Sequence, residues 1–93
     1  MTQIAQIDHR WNLSGDVVIA TVSAILAASK SLNMAVNTTI DFAKVKDIDT
    51  ATISLILEWQ RRAKKENQTL KLENLPANLL SLAQLYGVAE LIH

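Results

Sequence analysis

Asp41, Asp47 and Asp49 are the densest group of side chains in this chain that could bind a metal or move protons, and three carboxylates so close in sequence suggest a magnesium site. Their surroundings favour structural duties. Asp41 closes an apolar run, Asp47 lies in a polar stretch read as a turn, and Asp49 immediately precedes a long helical pattern, where a helix N-cap belongs. Nucleophilic catalysis needs an activated Ser, Cys or Lys with a base beside it, and the usual bases are only His9 and His93, neither in a recognisable motif. With no cysteine there is no thiolate nucleophile, disulfide or zinc-finger ligand set. Gly15 and Gly87 are the only glycines and lie far apart, so no glycine-rich phosphate loop exists and nucleotide hydrolysis by this chain is excluded. No enzyme, metal or cofactor is expected.

The chain that must position these groups has 93 residues and a mass of 10.3 kDa, which fits one domain spanning 1–93. An apolar fraction of 49% with 19% charged residues supports a buried core rather than a disordered tail. Nine basic residues balance nine acidic ones. That leaves no global field for phosphate backbones, and with Trp11, Phe42, Trp59 and Tyr86 as the only aromatics there is no platform for stacking bases. Nucleic acid is therefore not expected as a ligand. The opening Met1-Thr2-Gln3 lacks the basic-then-apolar pattern of a secretory signal, so cytoplasmic residence is expected.

Ile4, Ile7 and the segment His9 to Leu13 predict one or two short strands ending at Ser14-Gly15. Asp16 is the expected cap of a helix over Val17 to Leu32, although Val17, Val18 and Ile19 favour a strand. The uncharged part of this segment is too short for a membrane span. It is also apolar around most of its circumference, which predicts burial against the sheet or, on its outer face, docking on a partner.

Thr38 to Phe42 predicts a central strand and Ala43 to Asp47 a polar connector. Asp49 caps a helix from Thr50 to about Lys65. At about 100° per residue, Ile53, Ile56, Trp59 and Ala63 share one face, while Thr50, Ser54, Glu58, Arg61 and Lys65 share the opposite one, with Leu57 at the border. The basic end, Arg61 to Lys65, suits the helix dipole, and an acidic partner or lipid headgroup is its alternative use. Thr69 to Leu72 predicts another strand. Pro76 opens a third helix that stops at Gly87, and Val88 to Ile92 form an apolar tail that docks back. The order implies an α/β fold: a mixed sheet of about four strands covered by three or more helices.

The stretch Ile40-Asp41-Phe42-Ala43-Lys44-Val45-Lys46-Asp47-Ile48-Asp49-Thr50-Ala51 resembles the signature of the STAS domain family, the module shared by anti-sigma-factor antagonists and the cytoplasmic tails of sulphate transporters. That signature is a strand ending in Asp, an apolar residue four positions later, then apolar-Asp-Ser/Thr at the head of a helix. These roles fall on Asp41, Val45, Ile48, Asp49 and Thr50. Leu13-Ser14-Gly15 and Tyr86-Gly87 extend the likeness over nearly the whole chain. The stand-alone size, Asp-Thr in place of Asp-Ser, and Leu82-Ala83-Gln84-Leu85-Tyr86 are most similar to the small STAS subunit of the Gram-negative ABC complex that moves phospholipids to maintain outer-membrane lipid asymmetry.

That resemblance implies a non-catalytic subunit at the cytoplasmic face of the inner membrane. It would bind the transporter's ATPase and, through it, the permease, with Thr50, Thr52, Ser54, Leu57 and Arg61 as the partner-binding residues. The alternative it implies is an anti-sigma-factor antagonist switched by phosphorylation of Thr50. The family usually carries glycine one or two residues after the Ser/Thr, whereas Ala51 and Thr52 follow here, which puts extra side chains in the way of a kinase.

Overall fold

The computed structural model of the chain describes residues 3–34 and 37–92. The elements follow as β1 (Gln3–Ile7), β2 (Arg10–Val17), α1 (Val22–Ser29), β3 (Thr38–Ile48), α2 (Thr50–Lys65), β4 (Leu70–Glu73) and α3 (Ala77–Leu85), then a 3-10 turn at Ala89–Leu91. The sheet has the spatial order β1-β2-β3-β4. β1 and β2 are an antiparallel hairpin closed at Asp8, whose φ of 56° is a left-handed conformation that Asp tolerates. The pairs β2–β3 and β3–β4 are parallel, as helical crossovers require.

Alternation along the strands separates two faces. Trp11, Leu13, Ile40, Phe42 and Leu72 point into the core with Val17. There they meet Ile25 of α1, Ile53, Ile56, Trp59 and Ala63 of α2, and Leu79 and Ala83 of α3. Ile92 is buried in the same cluster, so the apolar tail docks as its composition predicts. The α2 face read from the 3.6-residue period is the buried one.

The opposite sheet face carries Arg10, Asp41, Lys71 and Glu73. The Arg10 guanidinium bridges Asp41, at 3.0 Å, and Glu73, tying β2 to β3 and β4. Asp41 also accepts from the Asn74 amide and the Ala43 N–H, both at 2.9 Å. It therefore lies within a polar network partway along β3 rather than at a strand end. The Asn74 donor, helped by the Ala43 N–H and Arg10, holds the Asp41 carboxyl below its ordinary range. A depressed native value means stability that is full above pH about 4, the unfolded range, and is lost as pH falls through the native one. Thermal melts should thus show Asp41→Asn less stable than wild type at pH 7, with the gap closing toward pH 3. A gap independent of pH would show that the charge contributes nothing.

Three expectations are corrected. The strand does not stop at Ser14-Gly15, and Asp16 does not cap a helix. Gly15, with φ 82°, sits at a register shift in the ladder, and β2 runs on to Val17, opposite Ile48. The β-branched run extends the strand, and α1 begins only at Val22, with Thr21 at its cap position. Ala43 to Asp47 is strand, not connector, because β3 continues alongside β2 to Ile48. Finally, α1 is not well buried: Ile25 and Ser29 are, but Ser23, Ala24, Ala27 and Ala28 face outward.

α1 and α2 lie side by side with the same polarity. Near their starts Val22 and Leu26 share a groove with Ala51 and Leu55, and farther along Ser29 meets Trp59 and Arg62. Arg62 lies 5.7 Å over the Trp11 ring and donates to Ser29 O at 2.9 Å and Leu32 O at 2.6 Å. One member of the basic cluster thus serves the C-terminal carbonyls of the neighbouring helix, a use that a reading of α2 alone does not reveal.

Candidate protein-contact site

The start of α2 is built around Asp49. Its backbone is extended, with φ −146°, and its side chain accepts the Ala51 N–H at 2.8 Å, which satisfies a donor that the helix cannot. Thr52 completes a capping box: its hydroxyl accepts the Asp49 N–H at 3.1 Å. The same hydroxyl donates to Val17 O at 2.5 Å. The second oxygen of Asp49 accepts the Ile19 N–H at 2.9 Å. The end of β2, the loop after it and the first turn of α2 are thereby one hydrogen-bonded unit.

This arrangement sorts the expected contact residues. Thr50 and Ser54 are exposed, and Leu57 is half-buried at the border as its angular position requires. Arg61 is exposed and paired to Glu58 at 2.6 Å, so an acidic partner must compete with that carboxylate. Thr52 is the correction. It is fully buried, and its hydroxyl is engaged on both sides by backbone. Thr52 belongs to the scaffold of the site and not to its surface. Thr52→Val should cost about 1–3 kcal/mol, since it removes the acceptor of the half-buried Asp49 N–H and the hydroxyl that donates to the Val17 carbonyl. Urea melts measure this, and a loss below about 0.5 kcal/mol would show that relaxation or water restores both bonds.

Beside this patch lies a groove of about 110 Å³ between α1 and α2, lined by Val22, Ser23, Leu26, Ala51, Ser54, Leu55 and Glu58. The loop residue Ile19, whose N–H donates to Asp49, is 76% exposed. It lies in the loop between β2 and α1, in the segment that the sequence predicts as helix. A larger depression of about 350 Å³ on the open sheet face is lined by Ala5, Ile7, Asn12, Leu13, Ser14, Asp41, Ala43 and Lys44.

The groups with chemical potential are dispersed. Asp41 is in the sheet-face network, Asp49 caps α2, and Asp47 is exposed near the end of β3. Among the described residues no three His, Cys, Asp or Glu side chains are grouped to hold a metal ion. His9 is in the β1–β2 turn, and His93 lies outside the described residues. Among the described residues no helix is long and apolar enough to cross a membrane. The exposed side chains at the start of α2, Thr50 and Ser54, are uncharged hydroxyls, with Leu57 half-buried beside them.

A family model described as "Mlab, STAS domain" matches residues 1–93. No curated protein sequence matches the chain significantly. Among solved structures, the anti-sigma factor antagonist SpoIIAA in its unphosphorylated form is similar with a TM-score of 0.75 and 15% identity, over 100% of this chain and 86% of that one. A crystal structure of Mglu is similar with a TM-score of 0.61 and 22% identity, over 81% of this chain and 20% of that chain. The native form of Mglu gives 0.60 and 18%, over 78% and 22%. At these identities the likeness to solved structures is one of fold, and the chain spans about a fifth of the Mglu chains it matches.

Proposed function

Because the chain belongs to the Mlab-type STAS domain family, we propose that it is a non-catalytic subunit of a phospholipid-transporting ABC complex, binding the cytoplasmic ATPase and supporting its assembly or activity. The observation that carries this reading is the construction of the α2 start. Asp49 and Thr52 hold it from inside, and Thr50 and Ser54 are left at the surface without a structural task of their own.

The mechanism is differential binding. Such a subunit stabilises one ATPase conformation or dimer only by as much as it prefers that state to the others. Its place is peripheral, at the inner-membrane face, through the complex rather than a span of its own. The test is co-expression with the ATPase and permease, affinity purification through this chain, and mass spectrometry of the captured subunits. Stoichiometric capture of the ATPase, with ATP hydrolysis by the complex changed when this chain is omitted, is the expected result. Capture of a sigma-factor regulator and a serine kinase instead would refute it.

One observation favours a second reading. The fold matches SpoIIAA over the entire chain, and Thr50 is exposed at the helix start. A phosphate there would sit at the positive end of the α2 dipole, leaving the fold intact while placing a dianion in the contact surface. Ala51 and Thr52, in place of glycine, weigh against a kinase's close approach.

A further inference from the structure

We infer that the depression on the open sheet face is a binding site for a small organic oxyanion, a carboxylate or phosphodiester that carries a short aliphatic segment. The site is separate from the start of α2 and independent of the proposed subunit role.

Strict alternation along β3 from Asp41 would turn Lys44, three residues on, toward the helices and the core. The ladder prevents this. Asn12 stands opposite Asp41 but Ser14 stands opposite Lys44, so that Phe42 and Ala43 together face the single residue Leu13 in a β-bulge. The Ala43 N–H at the bulge donates to the Asp41 carboxylate at 2.9 Å. The extra residue returns Val45 to the core side and brings Lys44 out beside Ser14, into the lining of the depression.

Three polar groups of that lining are left open. Among the described residues Lys44 has no carboxylate partner, and the Asn12 amide and Ser14 hydroxyl make no side-chain hydrogen bond. The fourth polar group, Asp41, is fully engaged, since its oxygens accept from Arg10, Asn74 and Ala43. Glu73, the neighbouring carboxylate, is likewise held by Arg10 and Lys71. A ligand therefore meets one uncompensated cation flanked by two neutral polar side chains, and the charge that complements them is negative.

The apolar part of the lining indicates what the anion carries. Ala5 pairs with Asn12 and Ala43 lies at the bulge, and side chains this small leave the hollow of about 350 Å³. Ile7, which is 63% exposed, adds an aliphatic wall. The volume is at the lower end of the roughly 300–1,000 Å³ typical of small-ligand sites, enough for a few methylene groups beside the charge. Because the hollow is open to water on one side, binding is weak, with a Kd on the order of 1 mM.

The experiment titrates the isotope-labelled full chain with hexanoate, diethyl phosphate, hexanol and hexylammonium, followed by backbone amide NMR shifts. Saturable shifts at Asn12, Ser14, Ala43 and Lys44 with hexanoate or diethyl phosphate, and none there with hexanol or hexylammonium, are expected. Binding of hexanoate alone assigns a carboxylate ligand, binding of diethyl phosphate alone a phosphodiester, and binding of both the shared oxyanion. Lys44→Gln should weaken binding by about tenfold and Ser14→Ala by several-fold, each with an unchanged thermal melt, while Lys64→Gln near the end of α2 should leave it unchanged. Absence of saturable shifts with either anion, or equal binding by hexanol, would overturn the inference. Wild-type affinity in Lys44→Gln, or shifts that map to Lys30, Lys64 and Lys65 rather than to the sheet, would overturn it as well.

Discussion

Trp59→Ala should cost about 3–5 kcal/mol, the range for deleting a fully buried aromatic side chain. Trp59 is 1% exposed and meets Trp11 edge-on, with ring centroids 5.7 Å apart and planes at 83°. Its indole N–H donates at 2.9 Å to the Ser29 hydroxyl, which donates in turn to Leu26 O at 2.7 Å. The substitution therefore removes a fully buried ring packed on Trp11 and one of the hydrogen bonds between α2 and α1, leaving that of Arg62 to Ser29 O. Small domains are stable by about 5–15 kcal/mol, so roughly a fifth or more of the total is at stake. The melting temperature should fall by at least about 12 °C. Trp59→Phe keeps most of the packing and loses the hydrogen bond, and should cost about 1–3 kcal/mol. Equal losses for the two variants would show that the hydrogen bond, and not the volume, dominates.

Thr50→Arg should weaken binding to the ATPase by a hundredfold or more and leave the fold in place. Forcing an unpaired cation into a desolvated contact costs several kcal/mol, and each 1.4 kcal/mol is about tenfold in affinity. The folded chain feels far less. Thr50 is exposed, arginine is a good helix former, and a cation at the helix N-terminus costs only about 0.3–1 kcal/mol. The Asp49 cap uses the Ala51 N–H and so survives any side chain at position 50. Circular-dichroism melts and a pull-down with the ATPase separate the two effects. Unchanged binding by Thr50→Arg, with binding abolished by Arg61→Glu, would move the interface to the other end of α2.

The parts of the fold legible in the sequence are those where local chemistry and burial agree. Asp49 and the period of Ile53, Ile56, Trp59 and Ala63 predict α2 over the observed span, Thr50–Lys65, because the cap residue and the buried face are both local signals. Pro76 and Gly87 bracket α3 for the same reason, with Gly87 at φ 70° just past its end. The errors fall where pairing between distant strands decides. Gly15 looks like a turn but sits at a register shift, and Ala43 to Asp47 looks like a loop but is strand because β2 runs beside it. The same holds for the site. Thr50, Ser54 and Arg61 are outward by helical geometry, and the same period puts Thr52 in line with Ile56, Trp59 and Ala63 on the buried face; what no local pattern reveals is its partner there, Val17 O, 35 residues earlier.

The two faces of α2 divide its residues by what selects them. Ile53, Ile56, Trp59 and Ala63 answer to the sheet, while Thr50, Ser54, Glu58, Arg61 and Lys65 are exposed, so that exchanging them leaves the core untouched. Recognition is a difference between affinities, and a surface that can be rewritten residue by residue can take a new partner or refuse an old one at little cost in stability. The domain is in this sense a fixed chassis with an interchangeable faceplate. For the proposed subunit, paired charge reversals on this exposed face and on its partner are a route to mutually exclusive pairs.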